Sequence, residues 1–136
     1  PRVWAGARRR DAPPEVPVVG VLHHARAGGD VVATTGIIVQ ELLQGVVREQ
    51  VRTQIIETFS ALEFLVPTRE DHIAASQVRT DLRSVGVQVG TIDALIVRLA
   101  LAGGHTLLTT DRDFVVAARH VDLRLWHPPS GGGTGR

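Results

Sequence analysis

The sequence predicts an α/β protein organised on a short, mostly parallel sheet, and three observations predict it. Short runs of β-branched and apolar residues at 30–33, 63–66, 105–109 and 123–126 alternate with longer stretches at helical spacing. Such alternation is the pattern of βαβ units, whose strands run the same way. Breakers punctuate the alternation, with Gly28-Gly29, Pro67, Gly86 and Gly103-Gly104 falling between the runs. The third observation is the stretch 91–102, apolar almost throughout, as befits a helix buried at the centre of the fold. In sheets of this class ligands bind outside the carboxyl ends of the strands, so polar residues there are the first candidates for chemistry.

Composition sets the outer limits. A chain of 136 residues is long enough for one core, and a single domain over 1–128 is expected, followed by a disordered glycine-rich tail over 129–136. No apolar run approaches the length that crosses a membrane and no signal peptide is visible, so the expected location is the cytoplasm. Cysteine is absent, which excludes disulfides and thiolate metal sites and leaves any metal to carboxylates or histidines. Every basic residue is arginine, which suits bidentate contact with phosphate, although the formal net charge is only +1. Lysine, asparagine, tyrosine and methionine are also missing, a bias that GC-rich coding explains at least as well as function does. Without a methionine, Pro1 is not expected to be the natural start.

Taken in order, residues 1–10 predict a short helix and then a basic loop at Arg8-Arg9-Arg10. A weak helical pattern at 16–27, interrupted by Pro17 and Gly20, ends at Gly28-Gly29. A strand at 30–33 leads into a helix at 36–47, for which Thr34 or Thr35 is the expected cap. Residues 51–62 read as an amphipathic helix with Ile55, Ile56, Phe59 and Leu62 in the core. The strand at 63–66 stops at Pro67, and Thr68 with Asp71 forms a capping box that opens a helix to about residue 85. Thr91 is the expected cap of the apolar helix, and Phe114 to Ala118 form a short helix before the last strand.

Four acids stand out. In the helix at 36–47, Ile37, Ile38, Glu41, Leu42 and Gly45 share one face, so Glu41 lies on the apolar side. A carboxylate there needs a partner, a metal or a proton; the alternatives are a boundary glutamate reaching solvent or an ion pair with Arg48 or Arg52. Asp93 lies in the first turn of the apolar helix, where ordinary dipole complementarity would also place an acid. Asp111 and Asp113 follow the strand at 105–109 and open the next helix, where capping is the competing explanation. On one sheet edge these carboxylates could hold a hard divalent cation such as Mg²⁺ or Mn²⁺. The six histidines show no metal spacing, and no Walker loop, dinucleotide fingerprint, serine elbow or repeat is present.

Three blocks carry a resemblance: Thr35-Gly36-Ile37-Ile38-Val39-Gln40-Glu41-Leu42-Leu43-Gln44-Gly45, Thr91-Ile92-Asp93-Ala94-Leu95-Ile96 and Leu107-Leu108-Thr109-Thr110-Asp111-Arg112-Asp113-Phe114. In this order and spacing the chain, over residues 30–126, resembles the PIN-domain ribonucleases, specifically the VapC-type toxins of bacterial toxin–antitoxin pairs. The resemblance implies a three-layer α/β/α sandwich and a Mg²⁺-dependent endoribonuclease, with Mn²⁺ as an alternative ion. Glu41, Asp93 and Asp111 then match the acidic metal ligands and Asp113 a fourth acid, while Thr109 or Thr110 assists substrate or water. The implied partners are an RNA substrate, a cognate VapB-type antitoxin that blocks the cleft, and a second copy in a homodimer. The family opens on a central strand ending in Asp; here Val3-Trp4 match only the tail of that motif, Asp11 is a poor substitute, and the first strand with its Asp is expected to be missing. That departure makes a catalytically inactive module, binding only antitoxin or RNA, the alternative function; a DNA-directed nuclease of the same fold is a third.

Overall fold

The structure, a computed structural model, describes residues 2–5, 31–109 and 112–125. Five strands and five helices follow one another along these residues. Strand β1 (Arg2–Ala5) is followed by β2 (Val31–Thr35), α1 (Gly36–Gln44), α2 (Glu49–Ser60) and β3 (Glu63–Leu65). Then come α3 (Arg69–Ser84), α4 (Thr91–Gly103), β4 (Thr106–Leu108), α5 (Arg112–Ala117) and β5 (Arg124–Leu125). The sheet order is β3-β2-β1-β4-β5 and every neighbouring pair is parallel, so the predicted α/β class is the observed one. All strand carboxyl ends, Ala5, Thr35, Leu65, Leu108 and Leu125, therefore lie along one edge.

One expectation is corrected at the centre of the sheet. Its central strand is present: Arg2–Ala5, read from sequence as a short helix, pairs with β2 through Val3↔Val32 and with β4 through Trp4↔Leu107. The physical reason is the slot between β2 and β4, whose two unpaired edges need a strand, and even a short Val-Trp run satisfies them. The predicted arginine loop at 8–10, the weak helix at 16–27 and the tail at 129–136 fall outside the described residues.

Strand β2 shows what the layering does. Val32, Ala33, Thr34 and Thr35 are all buried, so both faces of this strand are covered, as parallel sheets require. Ile38 and Leu42 of α1, Ile55 and Phe59 of α2, Ile96, Val97 and Ala100 of α4, Leu107 of β4 and Phe114 of α5 join Val32 and Ala33 in one core. Each such large side chain contributes on the order of 1.5–3 kcal/mol by leaving water. Leu82, Val87, Val89, Ala94 and Ala117 make a smaller cluster beneath the loop joining α3 to α4. Ile56, expected in the core, is instead 44% exposed, because α2 buries only its 55/59 stripe.

Helix ends follow the sequence signals with two shifts. Thr35 occupies the N-cap position of α1, but its hydroxyl donates to the Leu65 carbonyl at 2.7 Å, tying the carboxyl ends of β2 and β3 together instead of capping. For α4 the N-cap is Gly90 and Thr91 is already helical, since Gly90 has the extended backbone that a cap needs. Gly104 closes α4 at φ 66°, a left-handed conformation that glycine adopts without strain. The capping box of α3 is as predicted: the Asp71 amide donates to Thr68 Oγ1 at 3.1 Å, and the Thr68 amide donates to Asp71 Oδ2 at 2.8 Å. Asp71 does a second job, accepting from Arg98 Nε of α4 at 3.1 Å.

The Thr68 amide, more than any other group, holds the Asp71 carboxyl below its ordinary range; the Thr68 hydroxyl and Arg98 add to this against partial burial. An acid whose folded pKa is depressed stabilises the fold above its unfolded pKa of about 3.9 and loses that contribution as pH falls through the folded value. Asp71→Asn should therefore cost about 1–2 kcal/mol at pH 7. Denaturant melts of the two proteins should converge as pH drops below about 4. At the other end of α4, a methyl group on Gly103 would overlap the buried imidazole of His105. Gly103→Ala is expected to destabilise by about 1–3 kcal/mol in the same assay, despite alanine's better helix propensity.

Candidate functional site

The parallel sheet brings three helix segments to its carboxyl edge. Helix α1 starts there, directly after Thr35; α5 starts there, shortly after β4; and α4, which leads back to the amino end of β4, begins there. Asp93 sits in the first turn of α4 and Asp113 in the first turn of α5, each at the positive end of a helix, where an anion is stabilised. Glu41 lies one to two turns into α1. Asp111, in the connection from β4 to α5, lies outside the described residues.

Burial refines the reading of Glu41. The buried stripe of α1 is Ile38 and Leu42, while Ile37, Val39, Glu41 and Leu43 are half-buried and Gly45 is exposed. Glu41 thus borders the apolar stripe and retains a path to solvent. Arg52, one of the two arginines considered as its partner, donates from Nη1 to the Leu43 carbonyl at 3.1 Å and is engaged there. Asp93 is half-buried and Asp113 exposed, and each takes part in a polar interaction of its own.

Among the described residues no group of three or more acids, histidines or cysteines stands close enough to hold a metal ion. Glu41, Asp93 and Asp113 therefore do not make a three-acid cation site by themselves. The donor chemistry suits a hard divalent cation: the candidates are all carboxylates, and soft ligands are absent from the chain. The carboxyl end of β1 carries Ala5, so the central strand adds no acid where it meets the edge.

A second feature of this edge escaped the sequence patterns. A groove of about 710 Å³ opens over the carboxyl ends of β2 and β3, walled by α3 and the first turn of α4. Its floor includes Ile37, Phe64, Leu65, Ile92 and Leu95, and its wall carries His72, Arg79 and Arg83. Four residues of the α4 turn face it, Thr91, Ile92, Ala94 and Leu95; at 100° per residue their common direction is opposite to that of Asp93. The groove and Asp93 therefore lie on opposite sides of one helical turn. Exposure of Phe64 and Val66 beside the half-buried Leu65 could have hinted at the groove, but a strand-spaced apolar run reads as core until the sheet order makes β3 an edge.

A short parallel sheet with helices around it and acids along its carboxyl edge defines a class, the α/β/α sandwich proteins whose chemistry sits at the strand ends. The profile of the PIN domain matches residues 3–120, and the chain belongs to that family. A nuclease-type function and a hydrolase activity follow at that coarse level, and PIN domains typically use divalent metal ions. No curated protein matches the sequence. No helix among the described residues is long and apolar enough to cross a membrane.

Proposed function

We propose that this protein is a Mg²⁺-dependent endoribonuclease, the toxin of a type II toxin–antitoxin pair of the VapC kind. The observation that carries the reading is the pair of acids, Asp93 and Asp113, in the first turns of two helices that begin at the carboxyl edge of a PIN-domain sheet. Glu41, Asp93 and Asp111 would hold the ion, with Asp113 in support. A bound divalent cation supplies an activated water and neutralises charge developing on the scissile phosphate. The chain's own contribution is positional. Asp93 is set in the first turn of α4, at the positive end of the helix dipole. Single-stranded or looped RNA is the expected substrate, because an open edge reaches exposed phosphodiesters more readily than those of a duplex. The expected regulator is a VapB-type antitoxin covering the acids.

The acid-free end of β1 and the lack of a described three-acid group favour a second reading, an inactive PIN module that only binds antitoxin or RNA. Asp93→Asn separates the two. On the nuclease reading it lowers the rate of cleavage of a single-stranded RNA in Mg²⁺ by at least about a hundredfold, the loss typical of removing a group that stabilises the transition state. It also weakens Mn²⁺ binding measured by titration calorimetry and shifts the thermal midpoint by no more than a few degrees. Equal RNA integrity with native and variant protein, together with no Mn²⁺ binding by either, would leave the inactive module.

A further inference from the structure

The groove beside the acidic edge is unexplained by the nuclease reading, and its chemistry is specific. Apolar side chains make its floor, and among the described residues its ionisable lining is His72, Arg79 and Arg83, all cationic or protonatable, with no carboxylate. Helix α3 builds this wall from positions 72, 75, 76, 79, 80 and 83, one face repeating every three to four residues. Two of the three acids of α3 are engaged elsewhere: Asp71 accepts from Arg98 of α4 and Asp81 accepts from Gln77. Arg79 is pinned on the wall by its Nε bond to the Val89 carbonyl at 2.9 Å. Of the residues that line it, Phe64 and Val66 are 55% and 76% exposed, two apolar side chains of one edge strand and its end left open to solvent.

From these observations we infer that the groove is a docking site for a segment of another protein, one that presents bulky apolar side chains flanked by carboxylates. The floor selects the apolar groups by burial, and Arg79 and Arg83 select the acids by charge complementarity. The apolar floor disfavours a nucleic-acid strand, whose phosphates need a groove lined more densely with cations. A second copy of this chain seated face to face is disfavoured because it would bring its own Arg79 and Arg83 towards these, a like-charge arrangement. The occupant would lie across the α4 turn from Asp93. This inference stands apart from the nuclease proposal, since it uses none of the four candidate acids.

Fluorescence polarisation tests it, with a short fluorescein-labelled peptide in which leucine and phenylalanine alternate with glutamate. Two control peptides carry lysine for glutamate or serine for the apolar residues. The acidic apolar peptide should bind the full chain with Kd on the order of 10 μM and neither control should bind. Val66→Glu and Arg83→Glu, both at exposed positions, should each weaken binding by at least about tenfold. Val47→Glu, remote from the groove and 93% exposed, should leave binding unchanged, as should Asp93→Asn without metal. Absence of binding, equal binding of the lysine peptide, or indifference to both groove variants would overturn the inference. So would displacement of the peptide by oligouridylate, which would make the groove an RNA site. Sedimentation of a dimer that Val66→Glu dissociates would overturn it in favour of a second copy.

Discussion

The common direction of the five strands is the constraint on which everything else rests. Parallel strands cannot be joined by tight turns, and the described connections, β2 to β3, β3 to β4 and β4 to β5, each carry helix that packs on the sheet. The complete burial of Thr34 and Thr35, polar side chains on a strand with no solvent face, is one result. The other is an edge where helix starts gather, which gives backbone amides and positive dipole ends a shared direction. Asp93 and Asp113 occupy first turns for reasons of local electrostatics, and the same location makes them available for chemistry.

The first turn of α4 then divides the edge. Its residues are tied to the interior by Ala94, Ile96 and Val97, so the turn cannot rotate to present a different face. Asp93 projects to one side, and Thr91, Ile92 and Leu95 border the groove on the other. Helix α3 is held against this turn by the Asp71–Arg98 bond, in which the carboxylate that caps α3 also accepts from α4. One carboxylate thus fixes the start of α3 and its contact with α4. Its depressed pKa reports that double use, with the Thr68 amide the larger influence.

Much of the fold could be read from the chain alone, and the failures share a cause. Runs whose pattern is set by local chemistry were legible: the Thr68/Asp71 capping box, the strand stopped by Pro67, the buried helix over 91–103 and the glycine that closes it. Features set by tertiary pairing were not. Arg2–Ala5 looks unremarkable until β2 and β4 offer it two partners, and the Thr35 hydroxyl leaves the cap because Leu65 lies beside it. Ile56 illustrates the same limit, since period alone cannot say how wide a stripe the sheet will cover. Of the candidate site, the acids were legible as residue types at strand ends. The groove was not, because it depends on which strand becomes the edge.

The central strand carries the last step of the argument. With β1 in place, β2 and β4 lose their open edges, and the carboxyl ends of three adjacent strands form a continuous shelf. On that shelf β1 contributes backbone and Ala5, whereas the acids arrive from α4, from α5 and from α1 on its flanks. A cation bound there would be held by helix-borne carboxylates around a strand that supplies none. Such a site depends on the positions of α1, α4 and α5 relative to one another more than on the sheet itself. Those positions are maintained by the shared core of Ile38, Leu42, Ile96, Val97 and Phe114, so the packing of that core and the geometry of the acidic edge are one problem.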